Sequence, residues 1–448
     1  MNNKCDLLLQ NCSVLQADYS ISEQMSIAVL DGTIVEIGTA EALSAKYQAV
    51  QVLRGEGKLA MPGMIDGHTH ISQQLLRGKL SDEYPVLYLR FNLPYENRLD
   101  AQDMRICTEL ACLEMIKGGI TTFSDAGADF LEEVTPVIVD SGLRAVLTRP
   151  SSDMGEHLPA GRKDSTAQAL KKSEEMYRAV HGMGEGRISV FFQFRSVSSC
   201  TEALIRGMVE LAREYETGIH THMSEYPNSN LHCLQTYGMR EVEYLDSIGA
   251  FEPHFVAAHG IQLSEEDIQI FSRNEVNVVH CPRSNLGKGV TKTPQLLSHG
   301  VEVAFGTDGT AHAGLSMFRE MTAFKHSQMI QWGVPYCDYR VMSAKRLLKI
   351  LLEGGARALG FGSELGALEP GKKADFITID LDQVHISPTH SIVNTLTESV
   401  DVGDVRDMVV DGKLIMHERE VLTLDEERIM TEASEALKRV AQNNNWKG

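Results

Sequence analysis

The stretch Ala60-Met61-Pro62-Gly63-Met64-Ile65-Asp66-Gly67-His68-Thr69-His70 carries an apolar, β-forming run straight into two histidines spaced two apart. Residues 60–66 read as a strand, and His68 and His70 stand just past its end. In extended backbone, residues two apart face the same side, so both imidazoles can point at one ion. Taken alone, His-x-His says little. His220-Thr221-His222 ends a later apolar run, His259 ends the next, and Asp308 follows another within Gly306-Thr307-Asp308-Gly309-Thr310-Ala311-His312. A satisfied core histidine or a capping aspartate would explain any one of these, but explains all of them together poorly. Nitrogen and carboxylate donors suit zinc or another late first-row divalent metal, with a position left for water.

Outward from that stretch, residues 61–360 alternate apolar β-rich runs with longer segments of helical periodicity, the pattern of βα units and a parallel sheet. Eight candidate strands fall at 60–66, 119–125, 144–149, 187–194, 218–222, 255–259, 277–281 and 301–307, with helical segments such as 103–117 and 202–215 between them. This spacing predicts a (β/α)8 TIM barrel, an α/β fold whose active site lies at the C-terminal ends of the strands. That is where the histidines and Asp308 fall. The alternative, a doubly wound open sheet, has no Gly-rich phosphate loop to recommend it.

The chain ends have a different texture. Residues 6–10, 25–30 and 33–37 read as strands, the last two joined by Asp31-Gly32, and 375–379 and 408–415 repeat the pattern with Asp411-Gly412. Strand, Asp-Gly, strand is a hairpin signal. Residues 1–60 and 361–423 are therefore expected to meet in a small β-sandwich domain, with the barrel of 61–360 inserted between them and 424–448 closing the chain as an amphipathic helix.

The 448 residues suffice for a large core domain plus a small one, and the composition, 43% hydrophobic and 23% charged, is that of a globular protein. A net charge of −19 disfavours nucleic acid or an anionic membrane as partner. No apolar run reaches the ~18 residues of a membrane span, and the N-terminus has no basic region followed by an apolar core, so neither an anchor nor a signal peptide is expected. Eight cysteines without a C-x-x-C pair read as free thiols of a cytoplasmic protein.

Pro62-Gly63-Met64-Ile65-Asp66-Gly67-His68-Thr69-His70 also resembles the signature of the amidohydrolase superfamily, and HTHMSE (220–225), AAHG (257–260), HCPRSN (280–285) and GTDG (306–309) follow in that family's order. The set resembles the branch of S-adenosylhomocysteine/5-methylthioadenosine deaminases, guanine deaminase and triazine hydrolases, and GALEPGKKADFITID (366–380) is similar to that branch's return to its β domain. The resemblance spans nearly the whole chain. It implies His68, His70, His222 and Asp308 as ligands of one divalent metal, zinc in most members and iron in some. It also implies Glu225 as the proton-shuttling glutamate and His259 as a residue beside the activated water. A bound ion lowers the pKa of its water; Asp308 would take the water's proton, Glu225 would protonate a ring nitrogen, and ammonia would leave. Triazine hydrolases can lack this glutamate, so Glu225 favours deamination.

The base is less clear. Glu96, Arg149 and Arg162 match positions that hold ribose hydroxyls and an amino-acid carboxylate in the nucleoside deaminases, and each could equally be a structural charge. Gln193-Phe194-Arg195-Ser196 departs from the adenosine-type pattern, because Arg195 resembles an arginine of guanine and pterin deaminases whose donor fork meets a ring carbonyl. His280-Cys281-Pro282 resembles that group too, and His312 adds a polar group absent from the adenosine-type motif. The expected activity is deamination of a purine-like heterocycle or nucleoside. Cleavage of another C–N or C–Cl bond is the alternative, and a non-catalytic assembly role is set against it by the complete ligand set. The segment 72–98 reads as a substrate-covering loop or an oligomer contact; a homo-oligomer is compatible with the sequence, which selects no state.

Overall fold

A computed structural model describes residues 3–444 and 446 except 84–86, 128, 156–157, 159–161 and 312. Near the N-terminus lie β1 (Asn3–Leu15), β2 (Ile21–Leu30), β3 (Thr33–Thr39), β4 (Tyr47–Arg54) and β5 (Lys58–Pro62). The central strands are β6 (Met64–His70), β7 (Ile120–Asp125), β8 (Arg144–Leu147), β9 (Ile188–Val190), β10 (Gly218–Met223), β11 (His254–His259), β12 (Asn277–His280), β13 (Val303–Phe305) and β14 (Asp308–Gly309). Late in the chain come β15 (Phe376–Asp380), β16 (Val405–Val410), β17 (Lys413–His417) and β18 (Glu420–Val421).

Strands from both ends form one sheet, in the order β18-β17-β16-β15-β5-β1-β2-β3 with β4 also paired to β1. Both Asp-Gly turns are tight: φ is 50° and 73° at Asp31-Gly32 and 49° and 76° at Asp411-Gly412, the paired positive angles that a type I′ hairpin requires. They meet, for a Cβ on Gly32 would lie 3.0 Å from the Asp411 carbonyl oxygen. Hydrogen bonding joins the strands expected in the sandwich into a single nine-stranded sheet. The cause is β5, which pairs parallel with β1 (Ser13↔Leu59) and antiparallel with β15 (Phe376↔Pro62), so one ladder continues from the N-terminal to the C-terminal strands.

The strand expected over 60–66 is in fact two. It breaks at Gly63, whose added Cβ would lie 2.1 Å from Thr121 Oγ1. Beyond the break the central strands are parallel and nearly all buried, and follow one another in chain order. They form two arcs, β14-β6-β7-β8-β9 and β10-β11-β12-β13, in place of a closed ladder. A single parallel bridge, Phe192↔Ile219, links β9 to β10. Across the other seam, among the described residues, β13 and β6 share no ladder. Side chains do the joining there: the Asp66 carboxylate accepts from Thr307 N at 3.0 Å and Thr307 Oγ1 at 2.5 Å. Asp308 then pairs with Thr69 in β14–β6.

Helices cover the outside. Ala101–Gly118 starts in an Asp100–Asp103 capping box and stops at Gly119, φ 85°. The terminal helix Glu426–Asn443 buries Ile429, Ala433, Ala436 and Val440 and pairs Arg428 with Glu109 on Ala101–Gly118 at 3.0 Å. All eight cysteines are free, seven of them buried. Among the described residues no helix is long and apolar enough to cross a membrane.

Candidate metal centre and its cavity

Four strand ends deliver the polar residues. His68 and His70 alternate on β6 with Thr69 between them, whose Oγ1 donates to the Asp308 carbonyl at 2.9 Å. His222 is the last residue but one of β10, and His259 (φ 77°) closes β11. Asp308 has φ 58°. Left-handed backbone at a histidine and an aspartate costs energy and is held only where surrounding bonds impose it.

His70 Nε2 lies 3.2 Å from His222 Nε2 and 3.5 Å from Asp308 Oδ1, and His68 Nε2 lies 3.9 Å from the same oxygen. Ligands about 2.0–2.1 Å from a zinc stand roughly 3.3 Å apart in a tetrahedron, so this spacing fits one ion. Two further features fit. His68 Nε2 is buried without a hydrogen-bond partner. Burial, then Arg195, pushes His70 down to about 3 and holds His222 well below its ordinary value, so both keep lone pairs to donate. Behind His68, its Nδ1 meets His220 Nε2 at 2.8 Å, and His220 Nδ1 meets Ser124 Oγ at 2.9 Å, a chain that orients the ring.

His259 joins the same cluster, its ligand nitrogen within 4.8 Å of those of His68 and His222 and of the carboxylate oxygens of Glu225 and Asp308. The Asn285 amide satisfies its neighbours when its nitrogen donates to His259 Nδ1 at 3.0 Å and to Cys281 O, while its oxygen accepts from Cys281 N. That orientation leaves the His259 proton on Nε2, which lies 3.8 Å from Glu225 Oε1. Glu225 follows Ser224 (φ 49°), whose N–H and hydroxyl donate to the buried Glu241 carboxylate at 2.6 and 3.3 Å. Burial raises the Glu225 carboxyl, but neighbouring His259 and Lys288 outweigh it and leave it below the ordinary glutamate value.

These groups face a cavity of about 640 Å³, lined by His70, His222, Glu225, His259 and Asp308 together with Gln73, Tyr88, Asn92 and Arg195. Residues 59–415 match the sequence profile of the Amidohydrolase family. The chain belongs to that family. This amidohydrolase is 34% identical to a 5-methylthioadenosine/S-adenosylhomocysteine deaminase of Acetivibrio thermocellus over 97% of its own length and 99% of the relative's. It is 33% identical to a 5'-deoxyadenosine deaminase of Methanosarcina mazei over 96% of its length and 97% of that protein's. Among solved structures it is similar to a Xanthomonas campestris adenosine deaminase with bound zinc, at TM-score 0.92 and 26% identity, covering 99% of this chain and 100% of the other.

The substrate residues expected from sequence divide in this amidohydrolase. Arg195 lies on the cavity wall with its guanidinium 4.7 Å from the Tyr88 ring centre, and makes no ion pair or side-chain hydrogen bond among the described residues. Glu96, Arg149 and Arg162 are not on that wall. Glu96 accepts from Gln73 Nε2 at 2.9 Å, so the glutamine stands between it and the cavity. Arg149 pairs with Asp164 at 2.8 Å and Arg162 with Asp129 at 2.7 Å, each drawn to a nearby carboxylate. His312 lies outside the described residues. From the segment 72–98, Gln73, Tyr88, Leu89 and Asn92 reach the cavity. Sequence reading missed Lys288 and Gln73, and it quoted His220 and Asn285 within their motifs without giving either a role. The one signal available for Lys288 was a lysine three places after HCPRSN, on a loop following a barrel strand.

Proposed function

We propose that this amidohydrolase is a metal-dependent aminohydrolase that releases ammonia from a purine-like N-heterocycle, free or as a nucleoside. The observation that carries this reading is Glu225 beside His259 in the cavity that the histidine–aspartate cluster also lines. The deaminase relatives support it. His68, His70, His222 and Asp308 would hold one divalent ion, zinc by analogy with the zinc-bound relative, although iron(II) suits the same donors. Bound there, the ion supplies Lewis acidity that lowers the pKa of a coordinated water.

The chain's own groups then have separate tasks. Asp308 accepts the proton of the attacking water at a carboxylate oxygen. Glu225, ionised at rest beside Lys288, relays that proton to the ring nitrogen next to the attacked carbon, where negative charge builds. His259 Nε2–H donates to the developing oxygen. The remaining hydroxyl proton, taken by Asp308 as the carbonyl forms, passes to the exocyclic amine, which leaves as ammonia. The Arg195 fork favours a base carrying a ring carbonyl or another acceptor at that edge. Glu96 enters as the residue that orients Gln73, while Arg149 and Arg162 stay with their carboxylates. The two arcs are read as one (β/α)8 barrel with the site at its C-terminal mouth, which the consecutive parallel order supports. The free cysteines support a reducing compartment, the cytoplasm.

The test is metal content together with an ammonia-release screen over adenosine, S-adenosylhomocysteine, 5-methylthioadenosine, guanine, 8-oxoguanine and pterins. Stoichiometric metal and ammonia from at least one compound are expected. Stoichiometric metal with no ammonia from any would overturn deamination, and protein that never holds metal would overturn the centre itself.

A further inference from the structure

Lys288 is buried against the centre, its side chain 7% exposed, and no step above uses it. Its Nζ lies 2.6 Å from Glu225 Oε1 and donates to Ser284 Oγ at 2.9 Å. Ser284 Oγ in turn donates to Asp308 Oδ2 at 2.5 Å, and Lys288 Nζ is itself 3.9 Å from that oxygen. One residue after Ser284, Asn285 holds the ring of His259. The segment 284–288 therefore reaches three groups of the site: Asp308 through Ser284, His259 through Asn285, and Glu225 through Lys288. Its backbone is fixed as well, since Lys288 N donates to Asn285 O at 2.7 Å and Lys288 O accepts from Gln262 Nε2 at 3.1 Å. Lys288 is not on the cavity wall, so it does not meet the substrate.

We propose that residues 284–288 form a clamp in which Lys288 is a positioning residue, holding Glu225 at a set distance from Asp308 across the reacting centre. The physical need is plain. Two carboxylates facing one cavity repel, and a side chain on a turn such as that at Ser224 can rotate away. An ammonium bonded to one carboxylate and joined to the other through a hydroxyl offsets the repulsion and fixes the spacing. Displacing a reacting group by about 1 Å costs on the order of 100-fold in rate, which sets the expected size of the effect.

The inference rests on the deaminase reading of Glu225, and the experiment separates the two. In the full-length, metal-loaded protein, with a heterocycle that the wild type deaminates, Lys288→Met is expected to lower kcat about 100-fold. KM should change by less than about threefold and metal content should not change. Lys288→Arg should recover part of the loss. Combined with Glu225→Gln, Lys288→Met should cost little more than Glu225→Gln alone, because the lysine acts through the carboxylate. Additive losses, or a loss confined to KM, would overturn the clamp. A wild type silent on every heterocycle defeats the deaminase reading instead. The clamp is then judged from crystal structures of Lys288→Met and, where that variant does not fold, of Ser284→Ala. A shifted Glu225 or Asp308 carboxylate supports it, and unmoved carboxylates overturn it.

Discussion

Gly306→Ala probes how closely the second seam is packed against the metal ligands. A Cβ there would lie 2.7 Å from the His68 carbonyl oxygen and 2.9 Å from both His68 N and His68 Cβ. Ordinary contact begins near 3.4 Å, so the two segments must part by about 0.7 Å at the oxygen. Neither side yields easily. Gly306 N donates to His280 O at 2.7 Å, His68 N to Asp66 Oδ1 at 3.2 Å, and the His68 ring is tied to His220. Overpacking of this kind costs about 1–3 kcal/mol in stability. The larger effect falls on the ion, because ligand distances tolerate only about 0.2 Å. Since disturbing an outer partner of a ligand already weakens binding about 10–100-fold, zinc affinity is expected to fall by at least that range. The assay is competition for zinc between apo-protein and a chromophoric chelator. Gly287→Ala serves as control, for nothing lies within 4 Å of its added Cβ. Wild-type zinc affinity and turnover in Gly306→Ala would refute the packing argument.

Glu225→Gln keeps the shape that accepts from Lys288 but cannot carry the proton; retained metal with kcat lowered about 10²–10⁴-fold is expected, and unchanged ammonia release would remove its role. Arg144, 3% exposed, binds the Asp375 carboxylate at 3.1 and 3.2 Å between β8 and the terminal sheet. Arg144→Met should cost about 3–5 kcal/mol in urea unfolding by leaving that carboxylate without its partner, with partial recovery in the double variant with Asp375→Asn. Burial raises the Asp407 carboxyl, but bonds from Lys58 and Thr378 outweigh it and hold it below its ordinary value. A carboxyl depressed in the native state contributes stability above its unfolded pKa of about 3.9, and that stability is lost as pH falls through the native value. Asp407→Asn should therefore flatten the acid limb of stability as pH falls below about 4; an unchanged limb would show that another group sets it.

Local chemistry was legible where a residue's role depends on its chain neighbours. Period-two spacing placed His68 and His70 on one side of a strand, and Asp31-Gly32 and Asp411-Gly412 announced their hairpins. The order of apolar runs announced the central parallel strands and put His222, His259 and Asp308 at their ends. β4 went unseen because Val50 and Val52 are exposed on it and Leu53 is its one buried residue. Whether the terminal strands make one sheet or two depended on β5, which meets partners more than forty residues away in one direction and more than three hundred in the other. Likewise Arg149 and Arg162 looked the same in sequence as Arg195, and only the placement of Asp164 and Asp129 withdrew the first two from the cavity. By itself the sequence determined which donors exist and on which strand ends they stand, because spacing along a strand is a local property. The tertiary structure alone decided that Lys288 meets Glu225, that Gly306 presses on His68 and that the central ladder stays open at one seam. Those contacts join segments remote in the chain, and no periodicity within either segment encodes the distance between them.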